Sequence, residues 1–190
     1  MENLNPMAVL VRNEPGVLAR VSSLLARRGF NIHSLAVGET ERPEISRMSI
    51  VVSGDASVRE QAIKQLRRLV DVIRVTDLTG APRVERGLAL IKVTAPRERR
   101  SEIIELANIF RAAITHVDRG NMIVEVSGNR NKIEAMIDMM RPFGILELVR
   151  TGQIVMGRGQ NAVEVREHPQ VDSGPADGDD EQDGNLVQFK

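Results

Sequence analysis

The spacing of apolar residues in the first half of the chain predicts a compact unit of six elements. Residues 7–11 form an apolar run typical of a strand, and Val17, Val21 and Leu25 then mark one face of a helix. Pro15 fits the first helical position, and Gly29 stands where a left-handed cap is expected. Two β-rich runs at 31–38 and 46–54, a helical pattern over about 57–69 and a strand at 72–78 complete the order βαββαβ.

The same order returns after residues 79–87, for which no helix or strand is predicted. A strand at 88–95 leads into a helix, two strands pair around Arg119-Gly120, and a second helix ends at Pro142 before a closing strand at 144–152. The helical stripes consist of Ile103, Leu106, Ala107 and Phe110, and of Ile133, Met136, Ile137 and Met140. Residues 155–161, "VMGRGQN", are predicted as the irregular end of this unit.

Two such units predict an α+β protein with two tandem ferredoxin-like βαββαβ domains, at residues 5–79 and 80–159. In this topology the second strand of each unit lies at a sheet edge. The strand that begins at Asn31 therefore exposes unpaired backbone groups and apolar side chains. We expect it to pair with the same edge of a second copy, giving a homodimer.

Composition changes this picture mainly at the C-terminus. The chain has 26 basic and 26 acidic residues, but residues 161–190 contain eight acidic residues against two basic ones. Residues 160–190 are therefore predicted as a disordered acidic tail. A solubilising role and a partner-binding role for its final "LVQF" both stay open. Without a signal segment or an apolar run of membrane-spanning length, we expect a cytoplasmic protein with no membrane or nucleic-acid partner.

No set of side chains predicts catalysis or metal binding. The chain has no cysteine, and His33, His116 and His168 lie far apart without ligand spacing. Gly157 and Gly159 lack the Lys-Ser/Thr pair of a phosphate loop. The basic residues at 97–100 suit an exposed helix start, with an anion site as the alternative. With no Trp or Tyr and four Phe, the sheet also lacks the aromatic platform of RNA-binding relatives.

The turn "NEPG" at 13–16 is the feature with the clearest chemical potential. A helix that starts directly after a strand points free N–H groups and a positive dipole end into the turn, where a carboxylate can bind. Gly16 lets a ligand approach the backbone, and the Asn13 amide can serve both a carboxylate and an ammonium group. The alternative is structural: Asn13 as a helix-entry residue and Gly16 as a packing requirement.

Asn31 supplies a second amide beside the predicted dimer seam. Together with Asn13, Gly16 and apolar walls from Val17, Ile32 and Leu35, it describes a pocket for a small aliphatic amino acid. A site enclosed between two subunits also makes ligand binding sensitive to subunit arrangement, as regulation requires.

The sequence "VRNEPGVLARVSSLLARRGFNIHSLAVGETERPEISRMSIVV" resembles the ACT domain of the small, regulatory subunits of acetolactate synthase (acetohydroxyacid synthase). The family's segments N-x-P-G-V-L-A-R-V, R-R-G-F-N-I-x-S-L-x-V-G and S-R-M-x-I-V-V occur in the same order and spacing. "QLRRLVDVIRVTDL", "ERGLALIKV" and "NIFRAAITHV" extend the resemblance to about residues 5–157, more weakly in the second domain.

The resemblance implies a non-catalytic subunit without its own cofactor. In this family a large catalytic subunit carries thiamine diphosphate, Mg²⁺ and FAD and condenses pyruvate with pyruvate or 2-oxobutyrate. The small subunit stimulates it and confers feedback inhibition by valine in branched-chain amino acid biosynthesis. The family's valine contacts correspond to Asn13, Gly16 and Asn31, between two ACT domains. A free-standing ACT-type amino-acid sensor that regulates another enzyme or transcription is the competing hypothesis, and an enzyme is the third.

Overall fold

Strands and helices follow one another in the predicted order in the computed structural model, which describes residues 3–159. The strands are β1 (Leu4–Arg12), β2 (Ile32–Glu39), β3 (Ile45–Ser53), β4 (Val72–Asp77), β5 (Arg83–Thr94), β6 (Ala113–Val117), β7 (Asn121–Gly128), β8 (Ile145–Arg150) and β9 (Ile154–Gly157). The helices are α1 (Val17–Arg27), α2 (Ala56–Leu66), α3 (Arg100–Ile109) and α4 (Arg130–Met140), with short 3₁₀ turns at Arg97–Arg99 and Arg141–Phe143. The predicted acidic tail lies outside the described residues.

The first sheet has the antiparallel order β2-β3-β1-β4, so β2 lies at its edge, as predicted. Side chains alternate between the two faces of a strand, and Met7, Val9 and Val11 of β1 all enter the same core. Val17 and Val21 of α1 pack into that core from the helical face. This burial fixes which face of the sheet the helices cover.

The start of α1 differs from the prediction. The helix begins at Val17, and Gly16 is its N-cap with φ 83°, so Pro15 does not occupy the first helical position. Gly16 is thus required by a left-handed backbone outside the helix and does not weaken the first helical turn. At the other end, Gly29 has φ 74° and closes the helix as expected, with its N–H donating to the carbonyl of Ala26 at 3.0 Å.

The second sheet has the order β6-β7-β5-β8, and its core forms between the sheet and its two helices. This repeats the βαββαβ order, so the α+β class and the two ferredoxin-like units are confirmed. In the first domain, α2 ends at Leu66, before the predicted end at residue 69. After Leu66 the backbone N–H groups bond to the carbonyl three residues earlier, as the Leu69 N–H does to Leu66 O at 3.1 Å.

The prediction of an irregular segment at 155–161 is wrong for its first residues. β9 covers Ile154–Gly157 and pairs with Arg83–Arg86 at the start of β5, a stretch for which no strand was predicted. Each stretch is only four residues long and finds its partner about seventy residues away along the chain, so neither carries a local strand signal.

β9 joins the two domains. It lies against the helix-free face of the first sheet, where Val155 packs with Ala8 and Leu78 in a small buried cluster. The Val155 N–H donates to Ser49 Oγ at 3.3 Å, and its carbonyl accepts from Arg47 Nη2 at 2.8 Å. The Gln153 N–H donates to Ser34 Oγ of β2 at 2.8 Å. The strand that the prediction missed therefore connects the second domain to the edge strand of the first.

Candidate functional site

The turn between β1 and α1 has the backbone geometry of an anion site. Gly16 adopts φ 83° and ψ −8°, and no side chain caps the helix through a hydrogen bond. The first N–H groups of a helix have no partner within the helix, and the positive end of the helix dipole lies at the same point. The Val17 N–H donates to the Glu14 carbonyl at 3.3 Å, which leaves the N–H groups that follow it in the first helical turn for a ligand.

The Asn13 amide is held where the ends of β1, β2 and β3 meet. Its Oδ1 accepts from Ser46 Oγ at 3.0 Å, while its Nδ2 donates to the Pro43 carbonyl at 2.8 Å and to Glu39 Oε1 at 3.2 Å. An amide has two donors and two acceptor lone pairs, so only one acceptor position stays open. A ligand that uses Asn13 as predicted must replace one of these internal bonds or share the remaining lone pair.

Two charged residues at this turn were not predicted from the sequence. Glu39, at the end of β2, brings an exposed carboxylate to Asn13. Arg20 lies beside Gly16: a Cβ on Gly16 would stand 3.1 Å from Arg20 Nη1. Together they place a negative and a positive group near the turn, as a zwitterionic ligand requires.

Arg20 is anchored by a buried acid. Its Nε lies 2.6 Å from Asp71 Oδ2, and the Asp71 side chain is only 7% exposed, against 47% for Arg20. The pKa of the Arg20 guanidinium is raised, first by this hydrogen bond, with desolvation opposing and the charges of Asp71 and Glu14 adding. Because the pKa of Arg20 is raised in the folded state, the pair's contribution to the free energy of folding is complete below the ordinary pKa of arginine. It is lost only in strong alkali.

Asn31 lies at the opposite end of the sheet from Asn13. Its carbonyl accepts from the Ser53 N–H at 3.1 Å, at the end of β3, whereas Arg12 pairs with Ile45 at the beginning of β3. Eight residues of β3 separate these positions, about 27 Å at roughly 3.4 Å per residue. One copy of the chain therefore cannot bring Asn13 and Asn31 to the same small ligand.

The three predicted apolar wall residues belong to the core of the first domain. Val17 is 2% exposed, so it lies beneath the turn and offers no exposed wall. Ile32 and Leu35 are half-buried and pack against the same core. Any apolar contact to a ligand at this turn must use the exposed parts of these two residues or a second copy of the chain.

Two further properties bear on function within residues 3–159. This part of the chain contains no group of three or more His, Cys, Asp or Glu residues that could hold a metal ion. None of its helices combines the length and apolar character needed to cross a membrane.

Comparison with known proteins places this fold and turn in a family. One family model, described as the small subunit of acetolactate synthase, matches residues 86–159, and another, described as an AHAS small subunit-like ACT domain, matches residues 7–74. The chain is 58% identical over 153 residues to a probable acetolactate synthase small subunit of Archaeoglobus fulgidus, covering 80% of this chain and 96% of that protein. It is 51% identical over 153 residues to the acetolactate synthase small subunit of Aquifex aeolicus, covering 80% of each.

A solved structure agrees with these matches. The crystal structure of the acetolactate synthase small subunit from Thermotoga maritima superposes with a TM-score of 0.77 at 43% identity, covering 83% of this chain and 98% of that one. The class is thus an ACT domain followed by a second ferredoxin-like domain. The chain belongs to the acetolactate synthase small-subunit family, which confirms the resemblance seen in the sequence.

Proposed function

We propose that this chain is a non-catalytic regulatory subunit that stimulates a large catalytic subunit of acetolactate synthase and makes it sensitive to valine. Family membership supports the partner, because the relatives are described as small subunits of that synthase. In this proposal thiamine diphosphate, Mg²⁺ and FAD belong to the large subunit, and the complex works in the cytoplasm. The chain itself needs no cofactor, membrane or nucleic acid.

The observation that carries the valine proposal is the placement of the two asparagines at opposite ends of one sheet. A two-fold axis that pairs β2 with β2 of a second copy in antiparallel fashion sets the beginning of one β2 beside the end of the other. Asn31 of one copy would then lie next to Glu39 of the other, and Glu39 accepts from Asn13. The dimer thus brings the two amides together, which a single chain cannot do.

The resulting site has a group for each part of valine. The N-terminus of α1 and the Arg20 guanidinium suit the carboxylate, and Glu39 with the amide oxygens suits the ammonium group. Ile32 and Leu35 follow Asn31 along β2, and in this proposal their exposed parts contact the isopropyl group. Valine has about eight heavy atoms, so micromolar binding needs about 1 kcal/mol per atom, near the limit for so small a ligand. Enclosure between two copies supplies the preorganisation that this affinity demands.

Reconstitution with a purified large subunit tests the proposal, with Asn31→Ala as the diagnostic variant. We expect the wild-type chain to raise acetolactate synthesis and valine to inhibit the complex. Asn31→Ala should relieve valine inhibition by about tenfold or more in concentration, as for loss of a hydrogen bond to a charged group, and should leave stimulation largely intact. Failure of the wild-type chain to bind or stimulate the large subunit would favour a free-standing sensor. Loss of stimulation and inhibition together in Asn31→Ala would contradict a dedicated effector site.

A further inference from the structure

A groove of about 430 Å³ lies between the two domains. One wall comes from β2 and β3, and the other from β9 and the beginning of β5. Apolar side chains line most of it, namely Val37, Val84, Ile154 and Met156. Ile154 is 60% exposed and Met156 is 64% exposed, so these apolar surfaces face solvent. The volume falls in the range of small-molecule sites.

Arg47 brings a half-buried positive charge to this largely apolar groove, which Arg86, bonded through Nη1 to the Glu85 carbonyl at 2.8 Å, also lines. The Arg47 Nη2 donates to the Val155 carbonyl at 2.8 Å. Within residues 3–159 no carboxylate comes within ion-pair distance of Arg47. Loss of hydration lowers the pKa of this guanidinium, and desolvation is the one cause found for the shift. Arg47 is therefore a partly desolvated cation without a compensating anion in the described part of the chain.

The contact with β9 does not require this charge. Ser49 Oγ already fixes Val155 by accepting its N–H, and Val155 packs in the buried cluster with Ala8 and Leu78. Burying an uncompensated charge is unfavourable, and an apolar side chain of similar volume often stabilises a protein equally well. A guanidinium carries five N–H donors, so one bond to a carbonyl leaves others for a ligand. A carboxylate would supply both the missing charge and the missing acceptors.

We propose that the groove between β2, β3, β9 and β5 binds a small monocarboxylate with an apolar body, whose carboxylate pairs with Arg47. The apolar walls take the body of the ligand, and Arg47 fixes its orientation. Glu39 also lines the groove, but its carboxylate already accepts from Asn13, so Arg47 is the group that meets the carboxylate of the ligand. The groove borders the proposed valine site at Glu39, but the contact proposed here is made by Arg47 and needs neither valine nor the large subunit.

Binding of hexanoate to the full-length protein tests the proposal, with hexanamide as the uncharged analogue. Calorimetric titration should show hexanoate binding to the wild-type chain and weaker binding of hexanamide. Arg47→Met, which keeps an apolar stem, should weaken hexanoate by about tenfold or more, as for loss of a charge-assisted hydrogen bond. Arg141→Met is the matched control, because Arg141 is exposed and bonds Asp138 in the second domain. It should bind hexanoate as the wild type does.

A second variant tests the groove independently of whether Arg47→Met folds. Ile154→Gln changes an exposed wall residue and should weaken hexanoate severalfold, with an unchanged melting temperature. Equal hexanoate affinity in the wild type and Arg47→Met, or no hexanoate binding at millimolar concentration, would overturn the proposal. Competition by valine would also overturn it, since the groove would then not be a separate site.

Two other occupants of the groove, the chain's own acidic segment and a second copy of the chain, would each give a distinct result that contradicts the proposal. If the chain's own acidic segment fills the groove, hexanoate should bind only after Asp177, Asp179 and Asp180 are changed to Asn in the full-length chain. If a second copy covers the groove, Arg47→Met should change the sedimentation coefficient, and hexanoate should not bind the wild type.

Discussion

At the scale of single residues, Gly16 has two separate reasons to be glycine. Its φ of 83° is unfavourable for other residues, and a Cβ would approach Arg20 Nη1 to 3.1 Å. The sequence predicts that a ligand approaches the backbone closely at Gly16, but it shows neither of these two reasons. Arg20 is an exposed helical residue by pattern, and its bond to Asp71 spans 51 residues of sequence.

Gly16→Asp should weaken valine binding more than Gly16→Ala does. Both variants carry the same left-handed backbone penalty, about 1–2 kcal/mol. Only aspartate adds a carboxylate beside Arg20 and the helix N-terminus, where it competes with the carboxylate of valine. Urea unfolding measures the shared penalty, and calorimetric titration measures valine affinity. Equal valine affinity in the two variants would refute the placement of the ligand's carboxylate at this turn.

Gly152 is the second residue whose small size is decisive. A Cβ there would stand 2.0 Å from the Leu35 carbonyl oxygen, a contact with backbone that no rotamer change relieves. Gly152→Ala should therefore lower the free energy of unfolding by about 1–3 kcal/mol, as overpacking does. Gly120→Ala is the control, because nothing lies within 4 Å of a Cβ at Gly120. Equal stability of the two variants in urea would contradict the contact between Gly152 and β2.

At the scale of elements, β2 unites the features that matter for regulation. It is the edge strand of the first sheet, Asn31 precedes it, and Glu39 ends it. Its place at the edge follows from the βαββαβ order, so the sequence alone predicted it. β9 and the first four residues of β5 were missed because each stretch is short and finds its partner far along the chain.

Val37→Lys should weaken the dimer by about tenfold or more, because a charge on an edge strand opposes pairing with another edge. Val37 is 45% exposed on β2, at one edge of the sheet. Ile73, 40% exposed on β4 at the other edge, provides the matched control. Analytical ultracentrifugation should show dissociation for Val37→Lys and an unchanged mass for Ile73→Lys. The reverse result would place the dimer seam on β4.

At the scale of the whole molecule, one chain supplies the turn and its chemistry, and the proposed valine site adds a second copy. Asn13 and Gly16 could be recognised from a short motif, because a strand that runs directly into a helix leaves a local signal. Glu39 and Arg20 could not, because strand register and side-chain packing bring them to the turn. Nor does the sequence show that Asn13 and Asn31 lie at opposite ends of β3. That separation is the physical reason for expecting a site shared by two copies.

The shared site is tested most directly by mixing two weakened variants. As separate dimers, Asn13→Ala and Asn31→Ala should each weaken valine by about tenfold or more, which removes every site of wild-type affinity because every site then lacks one amide. After the two are unfolded and refolded together in equal amounts, half of the dimers are mixed, and each mixed dimer contains one intact site. Calorimetry should then recover about one quarter of the wild-type number of valine sites, as a two-fold interface requires. No recovery from well-folded mixed dimers would contradict a valine site built from two chains.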